Sequence, residues 1–265
     1  MVAHSSPPTP NSPPIGAKVA CLTANTYAEY AAANVIHTYQ LPSSFQDTKI
    51  AAAALLQGLT ALTLIREAHE VKPGQWVLVH AGAGGMGLWL CQLLKASGAK
   101  TIATASTAEK RETARQAGAD ELLEYPDQMQ GGHDAFIKQV MEITGDQGVN
   151  CVLDGVGKAT FDISLACVAR KGSLVSFGNA SGAVPPVTIS RLAGKNVRLM
   201  RPMLFGYVAT REEFEKYTKE MFDLIEGGKV DVRVHKVYDL KDVKQAHTDI
   251  EGRGTQGKLV LKVEQ

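Results

Sequence analysis

A glycine-rich segment between two apolar runs constrains the fold of this chain more than any other feature. The run Trp76 to His80 is followed by Ala-Gly-Ala-Gly-Gly-Met-Gly, in which Gly82, Gly84 and Gly87 match the spacing G-x-G-x-x-G. An apolar strand before the glycines and an apolar helix after them form the context that this motif requires. A turn of this kind lets a pyrophosphate approach the backbone at a helix N-terminus, whose N–H groups and dipole favour an anion. The segment therefore predicts dinucleotide binding, with a purely structural turn as the alternative.

Short apolar strands alternate with helices along the chain around and after this turn. The predicted strands are Trp76–His80, Thr101–Ala105, Glu121–Glu124, Cys151–Leu153 and Ser173–Phe177, and the predicted helices are Gly87–Ser97, Ala108–Ala117, Phe136–Ile143 and Thr160–Ala169. Such alternation indicates right-handed βαβ crossovers and a parallel sheet covered on both faces. The expected fold class is therefore α/β, a doubly wound Rossmann sheet.

The two ends of the chain do not continue this alternation. Residues 1–15 are rich in proline and are expected to form a disordered tail. The remaining terminal elements are strands at Lys18–Leu22, Tyr27–Ala33, Val232–Val237 and Lys258–Val263, and helices at Ile50–His69, Glu213–Ile225 and Lys241–Ile250. We expect the C-terminal strands to pair with the N-terminal ones in a second β domain of residues 16–57 and 208–265. The nucleotide-binding domain then comprises residues 58–207.

The tip of the second strand of the sheet indicates which nucleotide binds. NAD-binding sheets carry an acid about 20 residues beyond the glycine-rich turn, where it holds the ribose 2′-hydroxyl. This chain has Ala-Ser-Thr at 105–107, and Glu109 follows inside the first helical turn, where the helix dipole explains an acid. Lys110 and the hydroxyl of Ser106 suit a 2′-phosphate instead. The prediction is NADP(H) rather than NAD, although Lys110 taken alone would fit a solvated helix face.

Composition and cysteine usage exclude several other classes of protein. Apolar residues make up 45% of the chain, charged residues 21%, and the formal net charge is +1, so no global charge favours nucleic acid or a membrane surface. No apolar run is expected to reach the roughly 18 residues of a membrane span. Four scattered cysteines, Cys21, Cys91, Cys151 and Cys167, form no paired motif and no zinc-ligand spacing with histidine. Reduced core cysteines, a cytoplasmic location and no metal are expected.

Five motifs in order along the chain identify a resemblance to a family. They are Leu-Gln-Gly-Leu-Thr-Ala at 56–61, His-Ala-Gly-Ala-Gly-Gly-Met-Gly at 80–87, Val-Ser-Phe-Gly-Asn-Ala-Ser-Gly at 175–182, Arg-Pro-Met-Leu at 201–204 and Thr-Gln-Gly-Lys at 255–258. The chain resembles the NADPH:quinone oxidoreductases (zeta-crystallin-like) of the medium-chain dehydrogenase/reductase superfamily, from about Gly16 to Val263. The second domain would then be GroES-like.

The resemblance implies a cofactor-binding role for fifteen residues. It implies that Thr60 lies near the cofactor at the domain junction. The others are Gly84, Gly85, Met86 and Gly87 at the pyrophosphate, Ser106, Lys110 and Tyr125 at the 2′-phosphate, Phe177, Gly178, Asn179, Arg201, Pro202 and Met203 along the cleft, and Arg253 over the phosphates. Core packing is the alternative for Phe177, and a strand-end aromatic is the alternative for Tyr125. No catalytic residue is assigned.

The implied activity is zinc-independent hydride transfer from NADPH to a quinone or similar conjugated carbonyl acceptor. The resemblance begins only at Gly16, partway into the GroES-like domain, so one wall of the substrate site is expected to be absent and quinone reduction is expected to be slow. The alternatives are an enoyl or alkenal reductase and a non-catalytic NADPH-binding protein, regulatory or RNA-binding. Only Lys195, Arg198 and Arg201 offer a basic strip for RNA.

A homodimer is expected through an edge of the nucleotide-binding sheet. Val187 to Leu199 is predicted to supply this edge, with apolar contacts from Val187, Ile189, Leu192, Val197 and Leu199. A two-fold interface is the commonest arrangement for such an edge. An internal strand covered by a helix is the alternative.

Overall fold

The computed structural model describes residues 12–252 and 254–263, so residues 1–11 of the predicted tail lie outside it. Its strands are β1 (Val19–Cys21), β2 (Thr38–Gln40), β3 (Trp76–Val79), β4 (Lys100–Thr104), β5 (Glu121–Leu123), β6 (Val149–Asp154), β7 (Val168–Ser176), β8 (Arg198–Met200), β9 (Val234–Asp239) and β10 (Lys258–Lys262). Its helices are α1 (Thr48–Thr63), α2 (Gly85–Ala96), α3 (Ala108–Gln116), α4 (Gly132–Ile143), α5 (Phe161–Cys167), α6 (Leu204–Tyr207), α7 (Arg211–Glu226) and α8 (Val243–Glu251). They divide into two compact units, Ala61–Met203 and the residues up to Thr60 together with those from Leu204.

The unit Ala61–Met203 contains a six-stranded sheet of order β5-β4-β3-β6-β7-β8, and every pair in it is parallel. The chain leaves β3 toward β4 and β5, then returns to the other side of β3 for β6, β7 and β8. The predicted doubly wound Rossmann sheet is confirmed. Its topological switch point lies between β3 and β6, where ligands of such sheets bind beyond the carboxyl ends of the strands.

Apolar composition explains why the central strands occupy the middle of the sheet. Val77, Leu78 and Val79 of β3 are fully buried, as are Val152 and Leu153 of β6. Strands buried on both faces read as continuous apolar runs rather than alternating ones. The crossover helices between strands supply the buried side chains that cover them.

The other unit contains two separate two-stranded sheets. β1 pairs with β2 in antiparallel register, and β9 pairs with β10 in parallel register. The expected pairing of the C-terminal strands with the N-terminal ones is therefore wrong within the described residues. The predicted strand Tyr27–Ala33 is also wrong: the segment is irregular, and the side chains of Tyr27 and Tyr30 are exposed. Apolar composition there does not produce a strand because no neighbouring strand pairs with it.

Helix α1 is followed by a π-helical turn at Leu64–Ala68. Together they form a helix of 21 residues that contains an 18-residue window with a mean hydropathy of 1.5, long and apolar enough by composition to cross a membrane. The expectation that no apolar run reaches that length is therefore wrong. Of its most apolar window, 61% is buried inside the protein, which is the property of a core helix.

The segment predicted as the sheet edge is mostly not a strand. Ile189–Lys195 is a 3₁₀ helix, and only Arg198–Met200 forms the edge strand β8. Val197 is buried, and Val187, Leu192 and Leu199 pack against the core of the same unit. Only Ile189, 81% exposed, remains available among the five predicted contacts, because the others already cover the strands β6 and β7.

Candidate functional site

The glycine-rich turn lies at the switch point, between the end of β3 and the start of α2. Gly84 is the N-cap residue of α2, and it makes no side-chain capping hydrogen bond. The first turn, Gly85 to Gly87, contains no acidic residue. A helix N-terminus with no side-chain cap and no competing carboxylate presents its backbone N–H groups to an anion. This observation fits a nucleotide pyrophosphate.

Packing requires glycine at two positions of the motif, Gly82 and Gly87, and not at the third, Gly84. A Cβ atom on Gly82 would lie 2.7 Å from the Cβ of Ala103, and one on Gly87 would lie 2.2 Å from the carbonyl oxygen of Ala81. A Cβ on Gly84 would meet the same oxygen only at 3.2 Å. Gly82 and Gly87 therefore let β3, β4 and α2 approach closely, whereas a Cβ at Gly84 would require a shift of only a few tenths of an ångström.

Ser106 and Lys110 lie at the carboxyl end of β4. Thr107 is the N-cap residue of α3, and its hydroxyl accepts a hydrogen bond from the Lys110 backbone N–H at 3.2 Å. Both Ser106 and Lys110 are half-buried. The neighbouring Arg111 is engaged elsewhere, with an ion pair of 2.9 Å to Glu124. The Lys110 side chain thus places a cation at the tip of β4. This strand tip has no acid in the position expected of an NAD-binding sheet.

Tyr125 follows β5 at the same edge of the sheet and is half-buried. Its hydroxyl forms hydrogen bonds with the side chain of Thr104 and with the backbone of Ala81. Burial is the main cause that raises the pKa of this hydroxyl. Because β4 and β5 are parallel neighbours, Tyr125 lies on the same edge of the sheet as Ser106 and Lys110.

Phe177 and Gly178 form a loop beside the end of β6. The carbonyl oxygen of Asp154 accepts a hydrogen bond from the Phe177 N–H at 2.8 Å. A Cβ on Gly178 would lie 2.4 Å from the Gly155 carbonyl oxygen, so the two loops touch through backbone. Arg201 holds this loop by donating to the carbonyl oxygens of Ser176 at 2.9 Å and Gly178 at 3.1 Å.

The remaining predicted site residues are placed as follows. Asn179 continues the Phe177 loop, and Pro202 and Met203 follow β8, with Met203 72% exposed. Thr60 lies in α1, where its hydroxyl donates to the Leu56 carbonyl oxygen at 2.7 Å. Arg253 lies outside the described residues. The roles of all these residues stay predictions.

The predicted basic strip is bound to the protein's own backbone. Lys195 donates to the carbonyl oxygens of Ala166 and Val168 at 2.7 and 2.9 Å. Arg198 donates to the Ser173 hydroxyl at 3.2 Å and to the Lys171 carbonyl oxygen at 3.1 Å. Together with Arg201, these cations join neighbouring segments around β7 and β8, which explains them without an RNA ligand.

Sequence reasoning missed a buried polar group directly beneath the glycine-rich turn. His80, 3% exposed, lies between the hydroxyls of Thr104 and Ser164, and Ser164 contacts the fully buried Asp154. Burial lowers the pKa of the His80 imidazole, while Asp154 opposes that shift. The available signal was the position of these residues: His80, Thr104 and Asp154 each stand at the end of a central strand.

The described residues contain no cluster of side chains suited to a metal ion. Among residues 12–252 and 254–263, no three His, Cys, Asp or Glu side chains come close enough together to hold a metal ion. The four cysteines are unpaired thiols, and all but Cys21 are buried. The residues present therefore do not fit a zinc centre.

A doubly wound parallel sheet with an uncapped, glycine-rich helix N-terminus at its switch point defines a Rossmann-type dinucleotide-binding protein. The family model described as zinc-binding dehydrogenase matches residues 85–245. A probable quinone oxidoreductase of Schizosaccharomyces pombe is 44% identical over 80% of this chain and 62% of its own length. A 2-haloacrylate reductase of Burkholderia is 38% identical over 79% of this chain and 62% of its own.

A solved structure resembles the described fold closely. It is a mycobacterial protein in complex with NADPH, with a TM-score of 0.88 and 44% identity, over 94% of this chain and 75% of that one. The chain belongs to the quinone oxidoreductase family of the medium-chain dehydrogenases/reductases. It spans about three fifths of the length of the curated relatives named above, 62% of each.

Proposed function

We propose that this protein binds NADP(H) at the carboxyl edge of its parallel sheet and transfers hydride to a quinone or a similar conjugated carbonyl compound. The observation that carries the proposal is the N-terminus of α2, which has no side-chain cap and no acid in its first turn and lies at the switch point. The names of the relatives support both parts: quinone oxidoreductase, 2-haloacrylate reductase and a complex with NADPH.

Each group of candidate residues has a separate task in this proposal. Gly84 to Gly87 bind the pyrophosphate through backbone N–H groups, and Ser106, Lys110 and Tyr125 surround the 2′-phosphate. The loop Phe177 to Asn179 and the segment Arg201 to Met203 line the path to the nicotinamide. The bound nucleotide supplies the hydride, and the protein orients its ring and excludes water.

Calorimetric titration with NADPH and NADH tests the cofactor part. NADPH is expected to bind more tightly, because a charge-assisted bond from Lys110 to the 2′-phosphate has no counterpart in NADH. Lys110→Glu should weaken NADPH binding by about 2–3 kcal/mol and leave NADH nearly unchanged. Lys138→Glu, on the exposed face of α4, is the charge-matched control and should change neither affinity. Equal affinities of the parent for the two nucleotides would contradict the assignment.

Steady-state oxidation of NADPH tests the catalytic part. Turnover with a 1,4-quinone supports the quinone reductase, and turnover only with an α,β-unsaturated acid or aldehyde supports the enoyl or alkenal reductase. The 2-haloacrylate reductase relative is the reason for including a conjugated acid among the acceptors. Binding of NADPH without oxidation by either acceptor would contradict both and favour a regulatory protein.

We propose a cytoplasmic location, which the four free thiols fit because disulfides form in oxidising compartments. Burial raises the pKa of Cys91 and of Cys167 to about 12, and it raises the pKa of Cys151 as well. Thiols that stay protonated do not exchange into disulfides, because the thiolate is the reactive form. These cysteines act as apolar core residues.

A further inference from the structure

A continuous chain of buried side chains connects the two loops at the switch point. The Nδ1 atom of His80 lies 3.1 Å from the Thr104 hydroxyl, and its Nε2 atom lies 3.0 Å from the Ser164 hydroxyl. The Ser164 hydroxyl donates to Asp154 Oδ2 at 2.8 Å, and the Tyr125 hydroxyl bonds to Thr104 at the other end. We call these five side chains the His80 relay. All of them belong to the unit Ala61–Met203.

The Asp154 carboxylate fixes the direction of each hydrogen bond in the relay. A carboxylate only accepts, so the single hydroxyl hydrogen of Ser164 is used on Asp154. The Ser164 oxygen must then accept from His80 Nε2–H. Since burial lowers the pKa of His80, the imidazole is neutral, and a neutral ring with its hydrogen on Nε2 can only accept at Nδ1. The Thr104 hydroxyl is therefore the donor to Nδ1.

The same reasoning fixes the other end of the relay. The only hydroxyl hydrogen of Thr104 is used on His80, so its remaining contacts must donate to its oxygen. The Ala81 backbone N–H does so at 3.2 Å.

Both ends of the relay hold backbone that lines the candidate cofactor site. Ala81 has φ of +57°, a left-handed conformation that costs energy in a residue with a Cβ, and it begins the glycine-rich turn. The Asp154 carboxylate accepts from the N–H groups of Val156 at 2.8 Å and Gly157 at 3.0 Å, in the loop after β6. The Thr160 hydroxyl, which also contacts both carboxylate oxygens, completes its shell.

We propose that His80 is a positioning residue for the nucleotide: as the neutral Nε2–H tautomer it holds Ala81 in the left-handed turn through Thr104 and holds the loop after β6 through Ser164 and Asp154. This role rests on the proposed NADP(H) binding. It also assigns Thr104 and Asp154 as the hydrogen-bond acceptors that preform the two loops. Preformed loops bind a ligand without an additional ordering cost.

The tautomer is the first test, and it does not depend on nucleotide binding. Nitrogen-15 NMR of the imidazole groups of the parent protein, with His80→Gln to assign the signal, should show His80 neutral with its hydrogen on Nε2. Amide exchange at Ala81 should be slow and should accelerate in Thr104→Val. An Nδ1–H tautomer, a protonated ring or rapid exchange at Ala81 in the parent would overturn the proposal.

Variants of Thr104 and His80 provide the second test. Thr104→Val should raise the Kd for NADPH about tenfold, the amount expected for one hydrogen bond, while Thr104→Ser restores parental affinity because it keeps the hydroxyl. His80→Asn keeps an acceptor near the Nδ1 position, whereas His80→Gln keeps a donor near Nε2. Because Ala81 is held through Thr104, His80→Gln should weaken NADPH binding more than His80→Asn.

A matched control separates positioning from general destabilisation. Thr144 is also buried, and its hydroxyl accepts from the Gly148 N–H at 3.0 Å, before the start of β6 and away from the glycine-rich turn. Thr144→Val should lose thermal stability and keep the parental Kd for NADPH. Equal Kd values for Thr104→Val and Thr144→Val would overturn the proposal. A parent that binds neither nucleotide would contradict the proposed function instead, and the tautomer and Ala81 exchange would then decide the relay.

Discussion

The substitution Gly87→Ala should destabilise the fold, whereas Gly84→Ala should not, although both residues belong to the same motif. The Cβ added at Gly87 would lie 2.2 Å from the Ala81 carbonyl oxygen and 2.6 Å from the Cα and carbonyl carbon of Gly82. All three neighbours are backbone atoms, so α2 must move away from the turn by about 1 Å to restore ordinary contact.

The magnitudes follow from these contacts. Overpacking of a rigid site costs about 1–3 kcal/mol, which for a chain of this size lowers Tm by roughly 2–12 °C. At Gly84, whose φ is −74°, alanine reduces the entropy of the unfolded chain, a gain of about 0.4–1 kcal/mol. Glycine is the better N-cap residue by a similar amount. The two effects offset each other, so Gly84→Ala should stay within about 1 kcal/mol of the parent.

Urea unfolding followed by circular dichroism, together with NADPH titration, distinguishes the two variants. Gly87→Ala should unfold at a lower urea concentration. Gly84→Ala should keep the parental unfolding midpoint and bind NADPH more weakly, because it adds a methyl group at the N-cap of α2, where the pyrophosphate is proposed to approach the backbone. A Gly87→Ala protein as stable as the parent would refute the packing argument, and undiminished NADPH binding by Gly84→Ala would refute the assignment of the loop.

Three other measurements test the structure elsewhere. Burial lowers the pKa of His69 and of His80 below 6.5. On acidification the unfolded chain therefore takes up protons at these histidines that the folded protein does not. The free energy of unfolding should fall as the pH drops below 6.5 and should level off above it. The urea midpoint at about pH 7.5 and about pH 5.5 checks this, and His80→Gln should reduce the loss; an unchanged slope would contradict the burial of neutral His80. A thiol reagent at neutral pH should modify the half-buried Cys21 and leave the three buried thiols intact until the protein unfolds, so modification of all four in the folded protein would contradict the described core. Sedimentation at micromolar concentration should show a homodimer through the edge strand β8, and Ile189→Glu should weaken it; a monomeric parent would contradict the dimer.

The sequence alone determined the parallel sheet and the position of the glycine-rich turn. Both depend on local pattern. Continuous apolar runs identify strands that are buried on both faces, and the glycines after β3 identify a turn against which neighbouring segments pack closely. The absence of an acid after β4 is likewise visible in the sequence of the neighbouring residues alone. The errors fall where pairing is non-local. Tyr27–Ala33 has the composition of a strand but no partner, and the C-terminal strands pair with each other.

Only the tertiary structure decided which polar residues act together. Lys195, Arg198 and Arg201 look like a basic strip in the sequence, but their donors are used on backbone carbonyls in the folded protein. His80 and Asp154 are 74 positions apart in the chain, and neither belongs to a recognisable pair. They meet because parallel strands bring their carboxyl ends to one edge of the sheet, where a buried polar group must find its hydrogen-bond partner in another strand. That requirement acts through space, so local sequence pattern does not reveal it.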